Sequence, residues 1–249
     1  MTIAVISGNV FYQYHLATVP RVDLLPILTK EEKEENDYKV IYEQTGLTKE
    51  GYLRIEDDID LILDIQNDYY SSYNIIKKNT APFLMSDFLD RKVSHCLVKK
   101  GDIIITSAVQ FSGIRLGHTA LVINEEEIIE AVGYGSLSHI NKVDSFMERP
   151  SFLIVSPNFD EDVKEEVVNY ALDNLLGIPY NIFAGVFTKK SEINSTQCAH
   201  LVWYAYYKNG IDLDDNKGLI ITPKQLANSS RITVIQNFGF NSASLWNLL

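Results

Sequence analysis

Two textures of hydrophobic and polar residues divide the chain near Val93. Before it, apolar positions recur at helical spacing: Ile59, Ile62, Leu63 and Ile65, with Gln66, fall on one side of a helix predicted from Asp57 to Lys78. Thr29 followed by Glu32 has the spacing of a capping box, predicting a helix through KEENDYKVIYEQ that Gly46 stops. After the opening segment this half shows no strand-like alternation. Beyond Val93 the apolar runs shorten. LVKKGDIIITSAV, GHTALVIN, EIIEAVGYG and SFLIVSP are strand-length stretches separated by charged or glycine turns, and they predict an antiparallel meander.

After Pro157 the helical period returns in DEDVKEEVVNYALDNLLG, with Val163, Val167, Tyr170, Ala171 and Leu175 on one face, acidic residues in the first turn and Gly177 as the stop. A further helix is predicted from about Thr196 to Lys208 with Gly210 after it, then a turn of helix in PKQLANS and a strand in RITVIQNF. The order of elements predicts an α+β fold: a helical N-terminal extension over residues 1–92 and an antiparallel sheet packed against helices over residues 93–249.

Charge narrows the partners. The chain of 249 residues carries 33 acidic against 22 basic residues, a formal charge of −11. No run of Lys and Arg offers the clustered positive charge that phosphate backbones need, so a nucleic-acid partner is not expected. Two cysteines, Cys96 and Cys198, are too few for a disulfide framework and read as thiols. The N-terminus lacks a basic n-region and a clear cleavage site, and no run approaches the ~18 apolar residues of a membrane span. The expectation is a cytoplasmic chain without a membrane span, exported only if a leader precedes the recorded start.

Cys198 falls in the first turn of its predicted helix, where unpaired backbone N–H groups and the helix dipole favour a thiolate. With Leu201, Val202 and Ala205 it faces the protein body. His118 opens an apolar strand after Gly117, and Glu130 lies on the return strand of a hairpin through Asn124 to Glu127. If Ile123 faces Glu127, His118 and Glu130 are diagonal neighbours on one face, and a slip of one residue separates them. Alone, each residue has an ordinary reading: a core cysteine, a strand histidine bonded to backbone, a solvated carboxylate. His15, His95, His139 and His200 are weaker candidates, and no Cys or His spacing suggests a metal site. No cofactor is expected.

The order GDIII (Gly101 to Ile105), GHTALVI (Gly117 to Ile123), IIEA (Ile128 to Ala131), GIPYN (Gly177 to Asn181) and QCAHLVWYAY (Gln197 to Tyr206) resembles the permuted branch of the NlpC-type papain-like hydrolases, the YiiX- and YaeF-like (YebB-like) group. ITPKQLANS, from Ile221 to Ser229, looks like that family's closing segment, and YEQTGLTKEGYL is similar to the extension of some Gram-positive members. The resemblance spans about Lys99 to Ile235. It implies a circularly permuted papain-like fold with Cys198 as nucleophile, His118 as general base, Glu130 as the group orienting it, and Tyr180 near the substrate cleft. Ala199 and His200 stand where that family often has a small polar and an acidic residue.

What this implies is a cysteine amidase or peptidase working through a thioester, acting on short peptides such as peptidoglycan fragments. The same triad also suits a lipid acyltransferase or thioesterase, since related permuted folds such as lecithin:retinol acyltransferase handle acyl chains, and an apolar tunnel beside Cys198 distinguishes that case. A binding module that keeps the fold without turnover is the third expectation, marked by a Cys198 turned away from His118.

Overall fold

The computed structural model describes residues 3–6, 9–187 and 189–240, with side chains from Tyr14 onward. In chain order, β1 (Ile3–Ile6) and β2 (Asn9–His15) lead into helices α1 (Leu25–Leu28), α2 (Glu35–Thr45), α3 (Lys49–Leu53) and α4 (Ile59–Tyr69), then strands β3 (Ser72–Ala81) and β4 (Leu84–Leu89). There follow β5 (Ile103–Thr106), β6 (Val109–Phe111), β7 (Ile114–Arg115), β8 (His118–Val122), β9 (Glu127–Glu130), β10 (His139–Lys142), α5 (Asp144–Met147) and β11 (Phe152–Pro157). The described chain closes with α6 (Glu161–Asn174), α7 (Cys198–Lys208), α8 (Pro223–Ala227) and β12 (Ile232–Phe238).

The fold is mixed α+β, with two antiparallel sheets packed with helices. One sheet runs β1-β2-β3-β4-β6-β7 and the other β10-β9-β8-β5-β11-β12. The second explains the continuous apolar runs of the sequence. Ile103, Ile105, Leu121, Ile129, Leu153 and Val155 face α6, α7 and α8. Their alternates Ile104, Ala120, Val122, Ile128, Phe152 and Ile154 face a second core that includes Tyr73, Leu89 and Phe146. A sheet buried on both faces has no polar alternate positions to show.

The N-terminal region departs from its sequence reading. The helix expected from Asp57 to Lys78 ends at Tyr69, and Ser72 onward is strand, because the helical period lapses after Ile65 and Tyr73, Ile75 and Ile76 suit a pleated surface. Among the described residues, positions 1–92 therefore hold four strands as well as four helices. Strand β4 hydrogen-bonds to β6 across the expected boundary, pairing Ser86 with Val109. The capping box also lies elsewhere. Glu34 caps α2, with Asp37 accepting from the Glu34 backbone N–H at 2.9 Å, whereas the Thr29 hydroxyl bonds back to the Leu25 carbonyl at 2.9 Å and closes α1.

The helices gather around Leu24, Leu28, Ile41, Leu47, Tyr52, Ile62 and Ile65 and dock on β12 through the YEQTGLTKEGYL segment. The docking needs two glycines. A Cβ on Gly46 (φ 74°), the left-handed C-cap of α2, would lie 1.9 Å from the Asn237 carbonyl oxygen, and one on Gly51 would lie 2.0 Å from that of Ile235. Arg54, just past α3, grips the fully buried Asp102 with contacts of 2.6 and 3.2 Å, fixing the KKGD turn that leads into β5.

Candidate active site

Gln197 caps α7: its Oε1 accepts from the Ala199 N–H at 2.8 Å and its Nε2 donates to the Ile221 carbonyl at 2.6 Å. The Cys198 thiol, at the first helical position and 8% exposed, donates to the same Oε1 at 3.4 Å. The sequence missed this use of Gln197, although a polar residue directly before a helix-opening cysteine is a visible cap signal. One of the backbone donors expected to be open at this helix end, Ala199 N–H, is thus engaged by a side chain.

His118 opens β8 directly after Gly117 (φ 75°). The β8–β9 hairpin pairs Leu121 with Ile129 and Val122 with Ile128, the register that follows from Ile123 facing Glu127. Asn124 builds the turn, its Oδ1 accepting from the N–H groups of Glu126 and Glu127 at 2.9 Å. The consequence is a contact of 2.6 Å between His118 Nε2 and Glu130 Oε2, both side chains buried. Since the carboxylate takes Nε2, Nδ1 is the ring nitrogen left for the thiol. Phe146 of α5 stacks on the imidazole, with centroids 5.5 Å apart and planes 17° from parallel.

A third strand completes the support. Pairing of β9 with β10 sets His139 opposite Glu130 and Asn141 opposite Ile128. Asn141 Nδ2 then donates to Glu130 Oε1 at 2.6 Å, with His139 Nε2 3.8 Å from the same oxygen. Nothing in HINK announced this strand, because its side chains are exposed or half-buried and carry no apolar period.

Electrostatics tie these groups together. Burial pushes the His118 imidazolium down, but its interactions with Cys198 and Glu130 outweigh burial and hold the ring up at about 9. Burial would raise the Glu130 carboxyl, yet the His118 contact and the Asn141 hydrogen bond keep it below the ordinary carboxylate value. Tyr180, which lines the same cavity as the thiol, is pushed well up, first by burial and then by negative charge at Cys198. Burial pushes Arg149 down to about 10 although Glu130, Glu148 and Asp87 favour its charge, so a half-buried cation lies near the Glu130 carboxylate.

His200 is buried on another face of α7, with Nε2 donating to the Lys190 carbonyl at 2.8 Å and Nδ1 3.0 Å from the Thr196 hydroxyl. It anchors the loop before α7 and does not join the triad. His15 bonds Ser72, and His95 faces Asp64 at 3.9 Å. Cys96 borders a hollow of about 700 Å³ next to Arg54 and Lys142, but burial followed by Asp102 and Asp144 pushes its thiol far up.

The thiol and imidazole open into a second cavity of about 320 Å³. Leu84, Val109, Phe111, Ile182, Ile220 and Ile221 are among its apolar lining residues; Tyr180, Gln197 and Thr222 are its polar members besides the pair itself. Leu84 comes from β4, so the N-terminal region builds part of the wall. Among the described residues no group of His, Cys, Asp and Glu could hold a metal ion, and no helix is long and apolar enough to cross a membrane.

No family model, no curated protein and no solved structure matches this chain. The functional reading therefore rests on the site itself.

Proposed function

We propose that the chain is a cysteine hydrolase that works through an acyl-enzyme thioester, with Cys198 as nucleophile, His118 as base and Glu130 as the group that orients it. The observation that carries the reading is the buried His118 imidazole placed between the Glu130 carboxylate, at 2.6 Å, and a thiol on the first turn of a helix. His118 takes the thiol proton and sulfur attacks a carbonyl carbon, forming a C–S bond. The leaving amine, alcohol or thiol departs with the proton returned by the imidazolium. Water then attacks the thioester, gives its proton to His118, and releases the acid and the regenerated thiol. Asn141 holds the second oxygen of Glu130, so the carboxylate keeps its aim. With the Ala199 N–H engaged by Gln197, the Cys198 N–H is the donor at this helix end that serves the oxyanion.

The expected peptide substrate and the expected acyl substrate place different demands on the cleft. A peptide presents amides that need polar partners, whereas the cavity lining is mostly aliphatic and aromatic, with Tyr180, Gln197 and Thr222 as its polar members besides Cys198 and His118. The lining favours an acyl chain. A series of p-nitrophenyl esters of increasing chain length, set against dipeptide anilides, tests this. The reading predicts kcat/KM rising several-fold from acetyl to a medium chain, and lost in Cys198→Ala. Faster turnover of the anilides would return the assignment to a peptidase.

A further inference from the structure

The mouth of the Cys198 cavity is apolar well beyond what the cavity itself needs. Phe83, Ile114, Phe187 and Leu219 are 72%, 65%, 80% and 70% exposed, among the most exposed large apolar side chains described. Each is tied to the wall of the same cavity. Phe83, at the β3–β4 turn, precedes the lining residue Leu84, and its ring lies tilted against Phe111 with centroids 6.2 Å apart. Ile114 pairs with Phe111 across β6 and β7. Phe187 packs at 5.7 Å on the lining residue Phe183, and Leu219 directly precedes Ile220. Four separate segments thus put an apolar side chain into water around one opening, which soluble surfaces rarely do without a partner.

Their charge is as unusual as their exposure. Residues 81–84, 109–118, 180–187 and 217–223 contain no Asp or Glu, in a chain with 33 of them, while Arg115 and Lys217 are present. We infer that this rim is a docking surface for a phospholipid layer, through which an acylated amphiphile delivers its chain to Cys198. Rim segments without carboxylates avoid repulsion from lipid phosphates, and the exposed Lys217 complements them, whereas Arg115 is held by Asp87 and the Ser107 carbonyl. Apolar tips on separate turns insert independently among headgroups, whereas a protein partner needs one continuous complementary face. The delivery step rests on the acyl-transfer reading; the docking itself does not require Cys198.

Co-sedimentation of the full chain with vesicles of phosphatidylcholine, alone and mixed with phosphatidylglycerol, tests the inference. The wild type and Cys198→Ala should pellet alike, more strongly with the mixed vesicles. The triple variant F83S/I114S/F187S should lose at least about tenfold in vesicle affinity, since each side chain forfeits its apolar burial. An unchanged circular dichroism melt and unchanged iodoacetamide rate at Cys198 show that this variant is folded. Absence of binding by the wild type, or equal binding by the folded variant, overturns the inference, as does a concentration-dependent dimer that the triple variant abolishes without any vesicle binding. Vesicle binding together with an inert Cys198 leaves the docking surface standing and removes the catalytic reading.

Discussion

Glu130→Gln removes the carboxylate charge while keeping nearly the same shape. Holding the His118 ring at about 9 rather than at its ordinary value of 6.5 corresponds to about 3 kcal/mol of preference for the imidazolium. The interaction with Cys198 and the contact with Glu130 share that preference, so neutralising Glu130 forfeits a part of it, on the order of 1–2 kcal/mol. The amide also cannot satisfy both neighbours at once. Asn141 donates to one carboxylate oxygen and His118 Nε2 bonds the other, so the amide NH₂ is left facing a donor. The pH dependence has a definite sign. A folded-state value raised above the unfolded one adds stability that is complete below about 6.5 and disappears as pH rises through about 9. Urea unfolding should therefore show a deficit for Glu130→Gln on the order of 1–2 kcal/mol near pH 6 that shrinks toward pH 10. In parallel, the His118 imidazole signal in NMR should titrate lower in the variant than in the wild type. An equal deficit at both pH values, or an imidazole still titrating near 9 in Glu130→Gln, would refute the coupling.

Two further substitutions test how the N-terminal region is held to the sheet that carries the site. Gly46→Ala should destabilise by at least about 3 kcal/mol in urea titration, because the left-handed cap and the 1.9 Å approach to the Asn237 carbonyl oxygen both exclude a Cβ. Arg54→Leu leaves Asp102 buried without its partner and should cost about 3–5 kcal/mol, while the double variant Arg54→Leu/Asp102→Asn should recover part of that loss.

The central sheet and the heart of the site were legible because each rested on a local rule. Asn124 and the EEE turn fix the β8–β9 register, and that register alone brings His118 to Glu130 across twelve positions of chain. The helix over Cys198 was visible in its apolar positions and its Gly210 stop. Strand β3 was not legible, because most of its residues are exposed or half-buried and its lysines carry no alternation that a helix would not also show. Asn141 escaped for the same reason: its strand is an exposed edge, and its value lies in the carboxylate on the neighbouring strand. The apolar cavity is assembled from β4, β6 and the loops before α7 and α8, so only tertiary structure shows that Leu84 and Ile220 line one cavity.

The account stands on the pairing of one thiol with one imidazole, and the pH dependence of iodoacetamide labelling reads that pairing directly. Peptide mass spectrometry should report Cys198 and Cys96 separately in the wild type and in His118→Ala. Labelling of Cys198 far faster than of Cys96 at about pH 6 to 7, with that advantage lost in His118→Ala, is the predicted result. A Cys198 that is unreactive, or that labels at the same rate without His118, would contradict the catalytic assignment and leave the fold as a binding module.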